Sequence, residues 1–539
     1  MAWNLGDIYD ALGDALPADR PALIHGEQTI RWGELTLRSN RLARFFLSAG
    51  LRGNSKVGFY LRNSPAYMET FVACAKARLV HVNVNYRYQE DELCYIFENS
   101  DSEAVVYGSE FADRIAAVRS RLPKVKLWIQ VDFGGEVVLE GSTSYQQAVT
   151  QGDSTPLGIE RSGDDLILIY TGGTTGMPKG VMWQQDDLWK VIGAGASMVI
   201  KVQAPQTLEE HVHNIVNYPK QEIQLPCCPL MHGTGFFMGA AALSRGGSVV
   251  TLVEEKLDAA EVWAAVESHQ VNLTTIVGDA FAKPLLKELD ANPGKYDLSC
   301  LKMITSSGVM FTQEVKQGIL KHCPRTVIYD SLGSSEAVGF ASTLTKPGEE
   351  VKKTSKFMIG ESVKVFSEDH REILPGSEEP GFLARSGPIP RGYYNDEVKT
   401  AETFPEINGV RYSIPGDWCQ VEADGSITLL GRGSGCINSA GEKIYAEEVE
   451  EAIKASDVVV DAIVLGVPDE KWGQAVTAVV QLKSPVSEAD IRDVVKQRLA
   501  TYKAPKHVLF REDLNRAANG KADLKGNLAF AKQQLGIES

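Results

Sequence analysis

The strongest chemical signal in the chain is the run from Tyr170 to Val181, YTGGTTGMPKGV, which directly follows the apolar residues of LILIY. In this run four glycines and three threonines surround a single lysine, Lys179. A backbone with so few side chains can wrap closely around a polyphosphate, directing amide N–H groups, threonine hydroxyls and the lysine at its oxygens. The run therefore predicts a nucleotide phosphate loop, because a Gly-rich surface turn would not require the threonines and the Pro-Lys-Gly end.

The spacing argues against a P-loop NTPase, because Pro178 precedes Lys179 and Gly180 follows it, where GxxxxGK[ST] needs Gly-Lys-Ser/Thr. The run instead resembles the signature loop of the adenylate-forming superfamily, which contains acyl-CoA synthetases, amino-acid adenylation domains and beetle luciferases. This resemblance implies ATP as the nucleotide. The residues it assigns to the ATP phosphates are Thr171, Gly172, Gly173, Thr174, Thr175, Gly176 and Lys179.

Composition fits a large enzyme of more than one domain. The chain has 539 residues, of which 43% are hydrophobic, and its formal net charge of −15 opposes nucleic-acid binding. The start lacks the pattern of a signal peptide and no apolar run is long enough to span a bilayer, so we expect a cytoplasmic protein without integral membrane association. The eight cysteines form no CxxC pair, which favours reduced thiols. His211 and His213 are interpreted as solvated loop histidines, not metal ligands, because no cysteine or carboxylate cluster accompanies them.

Strand-like and helix-like segments alternate along most of the chain, which predicts an α/β fold. SKVGFYL, SEAVVYGS and LWIQVDF are interpreted as strands, and residues 65–77 as a helix between the first two. Together with the resemblance, this pattern predicts a large ATP- and acyl-binding domain of mixed α/β sheets over residues 1–432. A small, mobile α+β domain is predicted over residues 433–539, with a capping box at Ser487 and Asp490 opening one helix.

A second dense motif runs from Tyr329 to Gly339, YDSLGSSEAVG. It resembles the superfamily motif in which an aromatic ring stacks on adenine, a hydroxyl holds the α-phosphate and a glutamate meets Mg²⁺. By this resemblance Ser335 is catalytic and Glu336 is the metal ligand. The residues assigned to nucleotide binding are Asp330, Ser331, Leu332 and Gly333, together with Gly308 and Val309 after the strand-end serines 306 and 307.

Leu332 stands where the superfamily usually has a tyrosine, and we predict that Tyr329 or another nearby ring replaces it. Upstream, CCPLMHGTGFFMGAAALSRGG provides His232, which by resemblance orients the acyl group. Gly235, Gly239 and Ala242 in the same segment either allow close helix packing or form the wall of an open acyl tunnel, and the sequence leaves both interpretations open.

The remaining motifs lie near the end of the chain. Asp417 resembles the carboxylate that binds the ribose hydroxyls, and Arg432 resembles the nucleotide-binding arginine before the interdomain hinge. Ser434 takes the position of the usual hinge aspartate or lysine. Lys521, in Asn-Gly-Lys, resembles the catalytic lysine of the C-terminal domain, whose charge would stabilise the anionic oxygens during adenylation.

The resemblance covers nearly the whole chain and implies two half-reactions. A carboxylate attacks the α-phosphate of Mg-ATP to give an acyl-adenylate and pyrophosphate, and a thiol, by default that of coenzyme A, then displaces AMP. The motifs resemble the bacterial fatty-acyl and sterol side-chain CoA ligase branch, which implies a long or bulky hydrophobic acid. The open alternatives are an adenylation enzyme that loads a separate carrier protein, a luciferase-like oxygenase and a non-catalytic nucleotide sensor. The sequence leaves open whether the protein is a homo-oligomer.

Overall fold

The computed structural model describes residues 2–132, 137–171, 177–197, 199, 201–218, 220–308, 311–349, 357–377, 379–432, 436–515 and 523–537. In chain order its strands are β1 (Pro21–His25), β2 (Gln28–Arg31), β3 (Lys56–Tyr60), β4 (Val80–Asn83), β5 (Ser102–Gly108), β6 (Leu127–Val131), β7 (Thr143–Ser144), β8 (Leu166–Thr171), β9 (Lys179–Gln184), β10 (Ile223–Pro226), β11 (Ser248–Thr251), β12 (Leu273–Ile276), β13 (Met303–Ser307), β14 (Val327–Ser334), β15 (Ala337–Thr345), β16 (Phe357–Ile359), β17 (Val363–Phe366), β18 (Gly381–Arg385), β19 (Glu406–Ile407), β20 (Val410–Arg411), β21 (Asp417–Val421), β22 (Ser426–Arg432), β23 (Cys436–Ser439), β24 (Glu442–Tyr445), β25 (Val459–Asp469), β26 (Gly473–Leu482) and β27 (His507–Phe510).

The helices are α1 (Leu5–Ala15), α2 (Trp32–Ser48), α3 (Pro65–Lys76), α4 (Glu90–Asn99), α5 (Ala112–Arg119), α6 (Tyr145–Thr150), α7 (Gln185–Val191), α8 (Leu208–Val216), α9 (Gly233–Ser244), α10 (Ala259–Ser268), α11 (Gly278–Ala291), α12 (Gln313–His322), α13 (Glu397–Thr403), α14 (Ala446–Lys454), α15 (Glu488–Arg498) and α16 (Leu524–Leu535), with 3₁₀ turns at Ser109–Phe111 and Thr501–Lys503. The predicted α/β fold class is confirmed. Within the described ranges no helix combines the length and the apolar character needed to cross a bilayer.

Local sequence explains why several of these helices begin where they do. Asn4 caps α1 by accepting from the backbone N–H groups of Gly6 and Asp7. In α3 the proline of the predicted helix, Pro65, occupies the first turn, where its missing N–H is not needed. The predicted capping box of Ser487 and Asp490 is present at the start of α15. Propensity and capping therefore agree with the fold at these positions.

The chain divides into two compact units, which we call unit 1 and unit 2. Unit 1 comprises Met1–Tyr86, Phe97–Tyr170 and Gly180–Leu430, and unit 2 comprises Arg87–Ile96, Thr171–Lys179 and Gly431–Ser539. The predicted domain boundary between residues 432 and 433 stays a prediction.

Unit 1 is built on two large sheets. One has seven strands in the order β7-β6-β5-β3-β4-β8-β9, and its neighbours from β7 to β8 run parallel. The other has thirteen strands, in which β11, β10, β12, β13 and β14 run parallel and β14 then pairs antiparallel with β15. The carboxyl ends of parallel strands meet at one edge of a sheet, where α/β proteins bind ligands. The Ser306-Ser307-Gly308 turn and Asp330 lie at this edge of the thirteen-stranded sheet.

Unit 2 contains a five-stranded sheet in which β24, β23, β26 and β25 follow one another and β27 pairs with β26. Its apolar core includes Ile444, Val449 and Ile453, which pack with Val464 and Val476 of the sheet. A charged group is buried in the same unit. The Nζ of Lys503 lies 2.7 Å from Oε1 of Glu92 and 2.9 Å from Oε2 of Glu448, and all three side chains are at most 4% exposed.

Candidate active site

The strand that leads into the predicted phosphate loop is fixed by a buried amide. Asn83, at the end of β4, accepts from the backbone N–H of Tyr170 at 2.5 Å and donates to the carbonyl of the same residue at 3.0 Å. Its Nδ2 also donates to the carbonyl of Met231 at 2.6 Å. Asn83 thus connects Tyr170, which precedes Thr171, to Met231, which precedes His232. This role of Asn83 was not predicted from the sequence.

Beyond the loop, β9 continues from Lys179 and pairs with the segment 391–394. The backbone N–H of Tyr394 donates to the carbonyl of Gly180 at 2.8 Å, and that of Met182 donates to Gly392 at 2.9 Å. A Cβ on Gly180 would lie 2.7 Å from the Tyr170 ring, so only glycine allows this approach. Gly172, Gly173, Thr174, Thr175 and Gly176 lie outside the described residues.

Ser335 and Glu336 form a tight turn between β14 and β15, because Ser334 pairs with Ala337 across the antiparallel hairpin. The buried indole of Trp183 donates its Nε1–H to the Ser335 carbonyl at 2.9 Å. The turn therefore holds the predicted α-phosphate hydroxyl and the predicted metal ligand side by side, on a backbone fixed by an aromatic side chain from β9.

Glu336 is held from two sides. Its Oε1 accepts from the hydroxyl of Tyr393 at 2.9 Å, and its carbonyl accepts from Oγ of Ser413 at 2.7 Å. The residue is 7% exposed, so the carboxylate points in a defined direction with little freedom. Trp183, Tyr393 and Ser413 were missed by sequence reasoning, since each acts from a distant point of the chain and none belongs to a motif quoted above.

The residues predicted to lie beside adenine meet at the edge of the thirteen-stranded sheet. Gly308 follows β13 with φ of 93°, a conformation that favours glycine, and a Cβ there would lie 3.8 Å from Val277 after β12. The Ser306 hydroxyl accepts from the backbone N–H of Gly278 at 3.1 Å, which ties the two strand ends together. Val309 lies outside the described residues.

Between β13 and β14, Ser306 pairs with Asp330 and Ser307 with Ser331, so the two motifs adjoin in the sheet. The Asp330 carboxylate accepts from Nζ of Lys316 at 2.7 Å in a buried ion pair. Burial raises the pKa of Asp330, and the Lys316 charge opposes that shift. Leu332 packs against an apolar cluster that includes Ala337 and Phe340, which is a different environment from an open base-stacking surface.

His232 is the N-cap residue of α9 with an extended backbone, and its side chain is half-buried. For Gly235, three residues later, the structure favours the close-packing interpretation. A Cβ on Gly235 would lie 2.7 Å from the Pro229 carbonyl oxygen and 3.0 Å from that of Cys228. Gly239 meets Met68 at ordinary contact distances of 3.4–3.5 Å, and Ala242 is buried. The acyl-tunnel interpretation gains no support from these residues.

The other predicted site residues lie further along the chain. Asp417 opens β21 after Gly416, whose φ is 99°, and it is 8% exposed. The Arg432 backbone ends β22, while its side chain, Ser434 and Lys521 lie outside the described residues. β21 belongs to the same thirteen-stranded sheet as β14, so one scaffold carries both Asp417 and the Ser335–Glu336 turn.

The interpretation of His211 as a solvated loop histidine is wrong, whereas His213 is exposed as expected but lies on a helix and not on a loop. Both lie on α8, and His211 is fully buried between Trp3 and Trp189, with Nε2 2.7 Å from the Ser244 carbonyl. Burial lowers the pKa of His211 to about 4, so the ring is neutral near pH 7. Among the residues that the structure describes, no group of three or more His, Cys, Asp and Glu side chains is arranged to hold a metal ion.

Comparison with known proteins decides the family. The AMP-binding enzyme family matches residues 13–394, and the AMP-binding enzyme C-terminal domain matches residues 448–521. The chain belongs to the AMP-binding enzyme family. Its resemblance to the adenylate-forming superfamily is thereby confirmed.

Curated relatives of this AMP-binding enzyme align over almost their entire length. A 3-oxocholest-4-en-26-oate–CoA ligase of Rhodococcus rhodochrous is 40% identical over 551 residues, covering 100% of this chain and 97% of the relative. A medium/long-chain-fatty-acid–CoA/3-oxocholest-4-en-26-oate–CoA ligase of Mycolicibacterium smegmatis is 40% identical and covers 97% and 96%. These relatives confirm the resemblance to the bacterial fatty-acyl and sterol side-chain branch.

Solved structures confirm the fold. The amide bond synthetase McbA of Marinactinospora thermotolerans superposes with a TM-score of 0.80 at 19% identity, covering 97% of this chain and 99% of that one. The o-succinylbenzoate CoA synthetase of Bacillus subtilis superposes with a TM-score of 0.77 at 23% identity, covering 97% and 98%. Identities this low establish a shared architecture and leave the chemistry to be argued from the site.

Proposed function

We propose that this AMP-binding enzyme is an AMP-forming acyl-CoA ligase that activates a long-chain or bulky, steroid side-chain-like carboxylic acid. The observation that carries the proposal is the Ser335–Glu336 turn, held by Trp183 and Tyr393 on the sheet that also carries Asp417. Full-length identity of 40% to CoA ligases of fatty and cholestenoic acids supports both the reaction and the class of acid.

The residues of the turn have separate tasks in the proposed reaction. The Ser335 hydroxyl donates to a non-bridging oxygen of the α-phosphate as the acid carboxylate attacks. Charge that develops there is stabilised best by donors already fixed in place, and Trp183 and the hairpin provide that rigidity. The phosphate loop and Lys179 hold the departing pyrophosphate, Asp417 binds the ribose and His232 orients the acid. Lys521 supplies a second positive charge.

The carboxylate at Glu336 fits a magnesium ion. Tyr393 engages Oε1, which leaves Oε2 as a hard oxygen donor on a restrained side chain. Mg²⁺ in nucleotide sites binds through one or two carboxylates and the substrate's phosphate oxygens, so a single buried glutamate is a sufficient protein contribution. The ion would neutralise phosphate charge. Coenzyme A is the proposed acceptor, whereas a separate carrier protein is the alternative. The cytoplasmic location stays a prediction.

The decisive experiment measures AMP and pyrophosphate release with Mg-ATP across fatty, aromatic and steroid side-chain acids, each with and without coenzyme A. We expect AMP release that requires coenzyme A and is fastest with the long or bulky acids. Lys521→Ala should slow pyrophosphate release by roughly 10²- to 10³-fold, by analogy with the loss of one charge-stabilising donor.

Each contrary result has a distinct meaning. Pyrophosphate release without any thioester would favour a carrier-protein acceptor, and normal pyrophosphate release by Lys521→Ala would refute the role of that lysine. Nucleotide binding with no acid-dependent turnover would support the sensor and contradict the ligase. Preference for small aromatic acids would leave the ligase in place and overturn the proposed acid class.

A further inference from the structure

A buried lysine lies directly behind the nucleotide edge of the thirteen-stranded sheet. Lys316, on α12, has a fully buried side chain, and its Nζ lies 2.7 Å from Oδ2 of Asp330, whose side chain is 7% exposed. The Phe311 ring, itself buried, faces the same ammonium at 5.2 Å from its centroid. Among the described residues, the lysine therefore has Asp330 as its acidic partner and Phe311 as its aromatic partner, and its side chain has no exposed surface.

The other oxygen of Asp330 is left for a ligand. Across the described part of the chain no donor reaches Oδ1, while Oδ2 is engaged by Lys316. A carboxylate only accepts hydrogen bonds, and ATP offers donors solely at the adenine 6-amino group and the ribose hydroxyls. Because Asp417 is the proposed ribose ligand, the 6-amino group is the donor that suits Asp330.

We propose that Lys316 is a positioning residue that holds the Asp330 carboxylate aimed at the 6-amino group of adenine, and thereby sets the enzyme's preference for that base. The inference rests on the proposed function for the location of ATP. It deepens that function by explaining base selection in a chain where Leu332, which cannot stack as a ring does, packs into the apolar cluster.

The surroundings of α12 support a role in positioning. Asp279, just after β12, accepts from both the backbone N–H and the hydroxyl of Thr312, at 2.9 Å and 3.0–3.2 Å. This anchors the start of α12 to the same sheet edge and fixes the distance from Lys316 to Asp330. A buried ion pair adds little net stability compared with apolar residues of similar size. Stability alone therefore does not explain the Lys316–Asp330 pair, and a role in positioning does.

The test compares ATP with purine riboside 5′-triphosphate, which lacks the 6-amino group, in Mg²⁺-dependent pyrophosphate release at saturating acid. The wild-type enzyme should favour ATP by about tenfold or more in kcat/KM, as expected for one hydrogen bond to a charged acceptor. In Lys316→Met the ATP-to-analogue ratio of kcat/KM should fall to within about threefold of unity. The substitution weakens recognition of the 6-amino group, which only ATP carries, so kcat/KM falls for ATP and not for the analogue.

A matched control separates positioning from general damage. Lys76 is also a buried lysine, 1% exposed and bonded to Asn40 at 2.8 Å and to Asp10 at 3.2 Å. Lys76→Met should lower stability and leave the ATP-to-analogue ratio at its wild-type value. If Lys316→Met does not fold, Lys316→Gln, which is neutral but still a donor, is measured instead and should also lower the ratio.

A wild-type ratio in a folded Lys316 variant would overturn the inference, and so would a wild-type enzyme that does not distinguish ATP from the analogue. Failure of the proposed function is recognised separately. If no acid supports pyrophosphate release, calorimetry measures the dissociation constants of AMP and of purine riboside 5′-monophosphate. Their ratio reports recognition of the 6-amino group without any acid. Weaker binding of the analogue, with that difference lost in the Lys316 variant, would then support the inference alone.

Discussion

Removal of the Lys503 ammonium should destabilise unit 2 in a strongly pH-dependent manner. In the native protein this group lies 2.7 Å and 2.9 Å from the carboxylates of Glu92 and Glu448. Burial acts to lower the pKa of Lys503, but Tyr502 and the two carboxylates outweigh it and hold the pKa well above its usual range. Lys503→Met removes the ammonium that both buried carboxylates contact.

The size of the effect is bounded on both sides. Breaking a buried ion pair by removing one partner costs about 3–5 kcal/mol. The variant can avoid part of this by protonating one carboxylate, which for an ordinary glutamate costs about 3.7 kcal/mol at pH 7 and about 1 kcal/mol at pH 5. Because protonation of one carboxyl removes the repulsion between two negative charges in the folded variant, the free energy of unfolding of the variant should increase as pH falls. We therefore expect a loss of about 3–4 kcal/mol at pH 7 that shrinks to about 1 kcal/mol at pH 5.

Urea unfolding of the full chain at pH 7 and at pH 5 measures both losses. Lys496→Met is the matched control in the same unit, because Lys496 is 42% exposed and pairs with Asp493 at 2.9 Å. An exposed pair of this kind contributes about 0.3–0.5 kcal/mol and should show little dependence on pH. Equal losses for the two variants at pH 7, or a Lys503→Met loss that does not shrink at pH 5, would refute the reasoning.

Three further predictions concern unit 1. Tyr393→Phe removes the hydrogen bond that restrains the Glu336 carboxylate, a loss of about 1.5–3 kcal/mol. The Mg²⁺ concentration for half-maximal AMP release should therefore rise about tenfold. Tyr394, whose hydroxyl donates to Asp101 at 2.9 Å, provides the control, because Tyr394→Phe should leave that concentration unchanged. Gly235→Ala should lower the free energy of unfolding by about 1–3 kcal/mol, because its Cβ would clash with two backbone carbonyls, whereas Gly239→Ala in the same helix should be neutral or stabilising in thermal unfolding. Burial lowers the pKa of His211 to about 4, so as pH falls the unfolded chain takes up a proton at this residue before the folded chain does, and the free energy of unfolding should fall by about 1.6 kcal/mol between pH 6.5 and pH 5. His211→Gln should flatten this slope, and exposed His213, changed to Gln, is the control.

The sequence predicted those features whose cause is local. Residues 65–77 combine a proline at the first turn with an apolar run, and the helix is confirmed as Pro65–Lys76. The capping box at Ser487 needs only residues three apart, and it too is confirmed. Strand limits depend less on local sequence: Pro468 and Asp469 are residue types typical of turns, yet β25 continues through both and pairs with β26 up to Gly473.

Prediction was weakest where a side chain acts on a distant part of the chain. Trp183 and Ser335 are 152 residues apart, and Tyr393 lies 57 residues from Glu336. No local pattern links these pairs, because the fold alone brings β9 and residues 391–394 to the β14–β15 turn. His211 was misplaced for the same reason, since the tryptophans that bury it come from α7 and from the start of the chain.

The contacts that restrain Ser335 and Glu336 place the groups proposed for catalysis and the group proposed for base recognition on different parts of the thirteen-stranded sheet. Ser335 and Glu336 lie on a turn, yet each is restrained by a side chain or backbone group that arrives from elsewhere in unit 1. A turn held in this way keeps its geometry when neighbouring positions vary, which explains how Leu332 can join the apolar cluster without displacing the turn. In the proposed reaction, base selection is assigned to a polar group at the sheet edge. Asp330, held by Lys316, provides such a group.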